Sequence, residues 1–114
     1  MKIKNTTNQI VIGDFLKATM DIIAENTSFG YSAFAVNGLK ERLSREFKFL
    51  KNIHIKGKSV EVDKNINSVG RKELRNFFKK IVNFMGPNYL KILLAQKLKP
   101  SDVDYLENLG LKFG

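Results

Sequence analysis

The residues best suited to chemistry lie in one stretch, residues 70–85, with the sequence GRKELRNFFKKIVNFM. At about 100° per residue, Leu74, Phe77 and Ile81 fall on one side of a helix, and basic residues cover the other side. Glu73 is the only acid in the stretch, so its cations repel one another and add nothing to helix stability. Such cations neutralise phosphates and release the counterions of a polyanion, although an ordinary solvated face is the alternative. The stretch contributes Arg71, Lys72, Arg75, Lys79 and Lys80.

The excess of positive over negative charge lies in the middle of the chain. The net charge is +9, yet residues 1–36 balance to zero and residues 100–114 sum to −2. Residues 37–99 therefore carry +11. A segregated basic surface is typical of nucleic-acid-binding proteins, so the sequence predicts a polyanionic partner.

Residue types that would support catalysis are scarce. The chain has no cysteine and one histidine, His54, which by itself cannot form a metal site or a proton relay. It contains no Walker loop, dinucleotide fingerprint or nucleophile elbow. Asp102 and Asp104 lie where a helix is predicted to start, and acids there favour the helix dipole. We expect a protein that is not an enzyme and that uses no cofactor, metal or small-molecule substrate.

The hydropathy pattern predicts neither a membrane segment nor a signal peptide. No apolar run approaches the length of a bilayer span, and residues 1–14 lack the apolar centre of a secretory signal. We therefore expect a soluble, intracellular protein without a membrane partner.

The elements before the basic helix are less clearly marked than the helix itself. Residues 2–12 contain two short apolar alternations and are predicted as a strand, followed by a helix that Asp14 caps. Residues 27–38 are rich in aromatic and small residues, and their pattern is compatible with a loop, a strand or a helix start. Residues 39–50 are predicted as a helix with Leu39, Leu43, Phe47 and Leu50 inward.

A β-hairpin is the clearest strand signal in the chain. Ile53 and Ile55 alternate with polar residues, Val60 and Val62 do the same, and Gly57 lies between the two runs. His54 occupies a polar position of the first strand and is expected on its surface.

Three features define the C-terminal half. A helix is predicted at 69–85, and Gly86-Pro87 ends it and starts the next helix, which runs to Leu98. The sequence SDVDYLENLG at 101–110 begins with a Ser-x-x-Asp pattern like a capping box and ends at a glycine suited to a helix C-terminus. Residues 111–113 are predicted as a short strand.

The resulting prediction is an α+β fold over residues 1–114, with a hairpin or small antiparallel sheet packed against several helices in a single domain. Phe77 and Phe78 are expected in the core rather than as platforms for bases. Phe29, Tyr31 and Phe34 are expected in a buried cluster, with stacking on bases as the alternative.

The hairpin and the two helices after it resemble one family, the ribosomal protein twenty-two family of the eukaryotic large subunit. The matching motifs are a strand KSVEV, a basic helix RKELRNFFKKIV, a break NFMGPN and a run YLKILLA, over roughly residues 53–95. The family's early acidic-Cys-Thr motif and its glycine-rich loop are missing, and residues 27–50 have the character of an insertion.

The resemblance implies a cytoplasmic ribosomal protein with an RNA-binding α+β domain, seated on ribosomal RNA beside neighbouring ribosomal proteins. Its implied RNA-binding residues come from the basic helix, the hairpin and the segment after the break. They are Arg71, Lys72, Arg75, Lys79, Lys80, Lys56, Lys58 and Lys91.

Two alternatives use the same charge differently. In a winged-helix DNA-binding protein, residues 39–50 would be the recognition helix and residues 52–63 the wing. The exposed cations of that helix and its end would be Lys40, Arg42, Arg45, Lys48 and Lys51. In a protein-interaction or membrane-surface domain, the basic face would contact an acidic partner.

Overall fold

The computed structural model describes residues 6–113, apart from the side chains of residues 87–89. Helices dominate this part of the chain, and the two strands form one antiparallel hairpin. This is the α+β class that the sequence predicted. The helices are α1 (Asn8–Ala24), α2 (Phe29–Leu43), α3 (Arg71–Met85), α4 (Pro87–Lys97) and α5 (Pro100–Leu109); the strands are β1 (Ile53–Lys56) and β2 (Ser59–Val62); two 3₁₀ helices span Lys48–Asn52 and Lys64–Ser68.

Helix α1 begins earlier than the sequence predicted. The Thr7 hydroxyl caps it by accepting a hydrogen bond from the Ile10 N–H at 3.3 Å. The strand expected at residues 2–12 is therefore wrong from Asn8 onward, and its residues 2–5 lie outside the described part. The buried apolar residues of the helix include Val11 and Phe15, which lie on either side of Asp14 in the sequence. Asp14 is therefore within the helix and is not its cap.

Helix α2 covers most of residues 27–38, whose structure the sequence left open, and ends before the helix predicted over residues 39–50 would end. The Ser28 hydroxyl accepts the Tyr31 N–H at 3.1 Å, so the helix starts at Phe29 and ends at Leu43. The helix predicted over residues 39–50 is wrong beyond Leu43. Phe47 and Phe49 are both buried, and in one α-helix these positions would point about 200° apart and leave one ring in water. The chain instead turns and continues as a 3₁₀ helix.

The hairpin forms where the sequence predicted it. Ile53 pairs with Val62 and Ile55 with Val60, and Gly57 adopts φ 57° in the turn. The apolar side chains of this register pack against the core, and β2 lies along α1. His54 is half-buried on the polar face, where its Nε2 lies 3.7 Å from Asp63 Oδ2. The hairpin prediction is confirmed.

Aromatic rings join α3 to the rest of the core. The Phe78 ring lies 4.8 Å from that of Phe15 on α1, and the Phe77 ring lies 5.7 Å from Phe47 and 5.2 Å from Phe49. Ring pairs in this geometry add about 0.5–1.5 kcal/mol each beyond the burial of their surface. Phe77 and Phe78 are therefore core residues, as predicted, and they fix which face of α3 is exposed.

The helix boundaries after α3 follow glycine and proline. Gly86, with φ 97°, ends α3, and Pro87 starts α4, as predicted. Helix α5 starts at Pro100 without a side-chain cap, so the predicted capping box is wrong. It ends at Gly110, φ 116°, as predicted. The strand expected at 111–113 is wrong, because the Leu111 N–H turns back to the Leu106 carbonyl at the helix end.

Candidate nucleic-acid interface

The outer face of α3 carries a row of unpaired polar groups. Lys72, Asn76, Lys79 and Asn83 follow one another at helical spacing, and all four are exposed. Within the described part of the chain, neither Lys72 nor Lys79 forms an ion pair. The buried aromatic rings hold the opposite face, so the row has a fixed orientation toward solvent.

Two side-chain contacts place the end of α2 beside this row. Lys80 Nζ lies 3.0 Å from Glu46 Oε1 in the turn after α2. The Arg42 guanidinium carbon lies 5.2 Å from the centroid of the Phe84 ring, within the range of a cation–π interaction. The basic faces of the two segments are therefore continuous. We call this region the α2–α3 basic surface and define it by Lys72, Lys79, Lys80, Arg42 and Arg45.

Most of the net charge belongs to these two segments. Residues 39–52 contain five cations and two acids, and residues 71–85 contain five cations and one acid. Together they account for +7 of the +9 net charge. The sequence assigned the two segments to competing hypotheses, one for RNA and one for DNA, and the structure brings them together.

A shallow groove borders this surface at the end of α2. Lys40, Lys48 and Lys51 line it together with Glu41 and Ser44, and its volume is about 360 Å³. None of the three lysines forms an ion pair within residues 6–113. The positive field of the α2–α3 basic surface is thereby extended toward the 3₁₀ helix.

Arg71 and Arg75, predicted as RNA ligands, also lie against the end of α5. Arg71 Nη2 donates to the Asn108 carbonyl at 2.6 Å. Arg75 is half-buried, and a Cβ added at Gly110 would lie 3.0 Å from its Cδ. The last carbonyls of a helix lack partners within the helix and carry partial negative charge, so a guanidinium stabilises them. Arg71 is exposed and retains further donors for another ligand.

The structure separates the predicted hairpin residues from the α3 face. Lys56 Nζ lies 3.9 Å from Glu61 Oε1, and Lys58 Nζ lies 4.6 Å from the centroid of the Phe29 ring. Phe29 starts α2 and Arg42 is thirteen residues further on, about 20 Å along the helix. Of the predicted RNA-binding residues, Lys58 of the hairpin therefore lies near the start of α2, and Lys80 of α3 lies near its end. Lys91 is half-buried on α4.

The expected buried cluster of Phe29, Tyr31 and Phe34 is wrong. Their exposed fractions are 37 %, 54 % and 76 %. Helix α2 buries Ser32, Val36 and Leu39, and Phe34 lies on the opposite side of that stripe. Reading the α2 stripe back from Leu43 at a period of 3.6 would have placed Phe34 in water.

Two carboxyl groups meet where α1 packs on α5. Asp102 is fully buried, and the Asp14 carboxyl and the Lys99 backbone lie beside its carboxyl group, whose two oxygens form no well-aligned hydrogen bond. Burial, and next the neighbouring Asp14, raises the pKa of Asp102 to about 7. Lys99 Nζ lies 3.3 Å from Asp14 Oδ2, but its geometry is not that of a hydrogen bond. The Asp102 carboxyl therefore holds its proton up to near neutral pH.

Comparisons of the chain with protein-family models, with curated proteins and with solved structures found no match. Among the described helices, none is both long enough and apolar enough to cross a membrane. The function is therefore argued from the geometry and charge of the α2–α3 basic surface.

Proposed function

We propose that the protein binds folded RNA through the α2–α3 basic surface, and that it does so as a constituent of the large ribosomal subunit. The observation that carries the proposal is the pairing pattern. Lys72 and Lys79 face solvent on a rigid helix without a counter-charge in the described part of the chain, and a second basic segment adjoins them. Like charges so placed do not stabilise the fold, whereas a polyanion relieves their repulsion.

The geometry fits recognition by shape. Lys72 and Lys79 are seven residues apart, about 10 Å along the α3 axis, and the packed rings of the opposite face keep that spacing fixed. Contacts to phosphates position a protein without reading bases. Double-stranded RNA is recognised mainly through its shape and its sugar–phosphate contacts, because side chains cannot enter its deep, narrow major groove.

The contacts at the end of α2 favour RNA over the winged-helix alternative. A recognition helix would have to be continuous and free on one side, but α2 ends at Leu43. The residues expected to enter a DNA groove include Arg42, which lies against Phe84 of α3. Its neighbouring turn is joined to α3 through Glu46 and Lys80. The end of α2 thus forms one edge of a broad surface.

The ribosomal part of the proposal rests on residues 53–95. The hairpin, the basic helix, the Gly-Pro break and the following helix all occur in the order that the resemblance requires. The strands predicted near the two ends of the chain do not form within residues 6–12 or 111–113. RNA binding and ribosome association are therefore tested separately.

Binding to a structured ribosomal-RNA fragment and to duplex DNA of equal length, measured against salt, tests the RNA proposal. We expect tighter binding to RNA and a steep salt dependence. In the variant Lys72→Gln/Lys79→Gln, we expect unchanged or slightly increased stability. The slope of log Kobs against log salt should fall by about two, one per lost phosphate contact.

A matched control is available on α1. Lys17 is exposed and lies two residues after Phe15, whose ring packs on Phe78 of α3, so Lys17 points away from the basic surface. Lys17→Gln should leave RNA affinity unchanged, whereas Lys79→Gln, with the same loss of charge, should weaken it. Equal effects of the two variants would contradict a localised surface.

Other outcomes point to the alternatives. A preference for duplex DNA would support a DNA-binding protein, and weak binding to both nucleic acids would support a protein or membrane partner. Co-sedimentation with large ribosomal subunits, with release only at high salt, tests the ribosomal context. RNA binding without co-sedimentation would leave an RNA-binding protein that is not ribosomal.

A further inference from the structure

One edge of the α2–α3 basic surface is aromatic. Phe34, Gly38 and Arg42 follow one another at four-residue spacing on the outer face of α2, and the Phe84 ring of α3 lies against Arg42. The exposed fractions of Phe34 and Phe84 are 76 % and 58 %. We call these four residues the aromatic strip. Tyr31, exposed to 54 %, lies one turn before Phe34 at its outer end.

Burial does not account for these rings. The chain packs five of its nine phenylalanines into the core, so the fold has room for aromatic side chains where they stabilise it. Single exposed apolar residues are common on protein surfaces, but here exposed aromatic rings and an arginine occupy one strip. Exposure of aromatic rings beside cations is the arrangement on which unpaired bases stack.

Gly38 provides the space for a ligand. A Cβ added at Gly38 would meet no atom within 4 Å, so the surface is open there. Phe34 and Arg42 lie one turn to either side, about 12 Å apart along α2. A flat ring can therefore approach the bare backbone of Gly38, with Phe34 on one side and the Arg42–Phe84 pair on the other.

We propose that the aromatic strip stacks unpaired nucleotides that adjoin the RNA helix held by α3. The inference rests on the proposed RNA-binding function and adds a class of substrate to it, namely folded RNA with a single-stranded extension or bulge. The positive charge around the strip favours an RNA nucleotide over a second copy of the chain. An unpaired nucleotide offers a flat face to the rings and a phosphate to Arg42, which belongs to the strip, and to Lys80, which borders it. A second copy of the chain would bring two strongly positive surfaces together.

The test compares two RNAs that share one duplex, one blunt and one with a five-nucleotide single-stranded extension. Wild-type protein should bind the extended RNA about tenfold more tightly, since stacking on an aromatic ring contributes about 1–3 kcal/mol per base. Phe34→Leu/Phe84→Leu should lose this preference, while its affinity for the blunt duplex should fall by much less than tenfold, because loss of the Arg42–Phe84 contact leaves Lys72 and Lys79 in place. Lys72→Gln/Lys79→Gln should weaken binding to both RNAs equally. Ile92→Ala, which removes an exposed apolar side chain on α4 outside the strip, should change neither affinity.

A photochemical measurement locates the contact. With 5-iodouridine in the extension, irradiation should cross-link the RNA to peptides that contain Phe34 or Phe84. Equal binding of both RNAs by the wild type, or a preference that survives in Phe34→Leu/Phe84→Leu, would overturn the inference while the proposed function stands. Failure to bind either RNA would overturn both. The wild type could instead form a dimer and show no preference between the RNAs, with Phe34→Leu/Phe84→Leu monomeric. That result would assign the strip to self-association and overturn the inference.

Discussion

Replacing Asp102 by asparagine should stabilise the protein at neutral and alkaline pH. The buried Asp102 carboxyl faces the Asp14 carboxyl, and only the protonated form of one can donate a hydrogen bond to the other. An asparagine amide donates at every pH and carries no charge. The remaining charged groups around the site are common to both proteins, and they are Lys17, Asp21, Lys97 and Lys99.

The sign of the pH dependence follows from the raised pKa. Asp102 has a pKa of about 7 in the folded protein, against 3.8 for the ordinary side chain. Between these values the folded state holds a proton that the unfolded state has released, so stability falls as pH rises. Below about 4 both states are protonated, and above about 7 both are ionised, so no further change comes from this group.

The magnitude follows from the same two values. At 1.36 kcal/mol per pH unit, the difference between 3.8 and about 7 sets an upper limit of about 4 kcal/mol. Solvent that reaches the half-buried Asp14 screens the pair and reduces this penalty. We expect Asp102→Asn to be more stable than the wild type by about 2 kcal/mol at pH 8 and nearly equal to it at pH 4.

Urea unfolding from pH 4 to pH 8.5 measures the effect as the difference between the two proteins, which cancels the titration of other groups. Asp104→Asn is the control, because Asp104 is exposed on the same helix and loses the same charge. Its difference from the wild type should not change over this range. Two results would refute the interpretation that buried Asp102 holds a proton up to near neutral pH. One is a difference in stability between Asp102→Asn and the wild type that does not change with pH, and the other is a variant less stable than the wild type at pH 8.

Three further predictions concern the surface and its support. Gly110→Ala should lower the free energy of unfolding by about 1–2 kcal/mol in urea titrations, because φ is 116° there and the new Cβ would meet an arginine side chain; an unchanged midpoint would contradict this. Glu46→Gln frees Lys80 and should tighten RNA binding severalfold at low salt while stability changes by less than about 1 kcal/mol; weaker binding would show that the ion pair orders the surface. Lys56→Gln/Lys58→Gln should reduce RNA affinity less than Lys72→Gln/Lys79→Gln does, since Lys58 in the hairpin turn lies at the far end of α2; an equal or larger loss would place RNA on the hairpin.

The sequence predicted those elements whose signals are local. The basic helix and the hairpin have clear periods of 3.6 and 2, and glycine and proline mark the break at residues 86–87. The start of α1 was missed because a short apolar alternation precedes the helical stripe. The end of α2 was missed because the burial of both Phe47 and Phe49 depends on the α3 rings against which they pack.

The candidate site also contains a part that local sequence signals predicted and a part that they did not. The cations of α3 were predicted because charge and helical period suffice to place them on one face. The contacts of Arg42 with Phe84 and of Glu46 with Lys80 join segments more than thirty residues apart, and only the turn after α2 determines them. The Asp14–Asp102 pair is more distant still in sequence, and an acid in a first helical turn is ordinarily read as a solvated charge that favours the dipole.

Helix α2 is held in an unusual way, and this has a dynamic consequence. It buries only Ser32, Val36 and Leu39, whereas α1 buries eight residues. Near its two ends, Lys58 lies over the ring of Phe29 and Arg42 lies over the ring of Phe84. A helix with so narrow an apolar anchor opens at a lower free-energy cost than the core, so its amide hydrogens should exchange with solvent sooner than those of α1. A ligand that spans α2 and α3 would close that opening, and slower exchange in α2 would report its arrival.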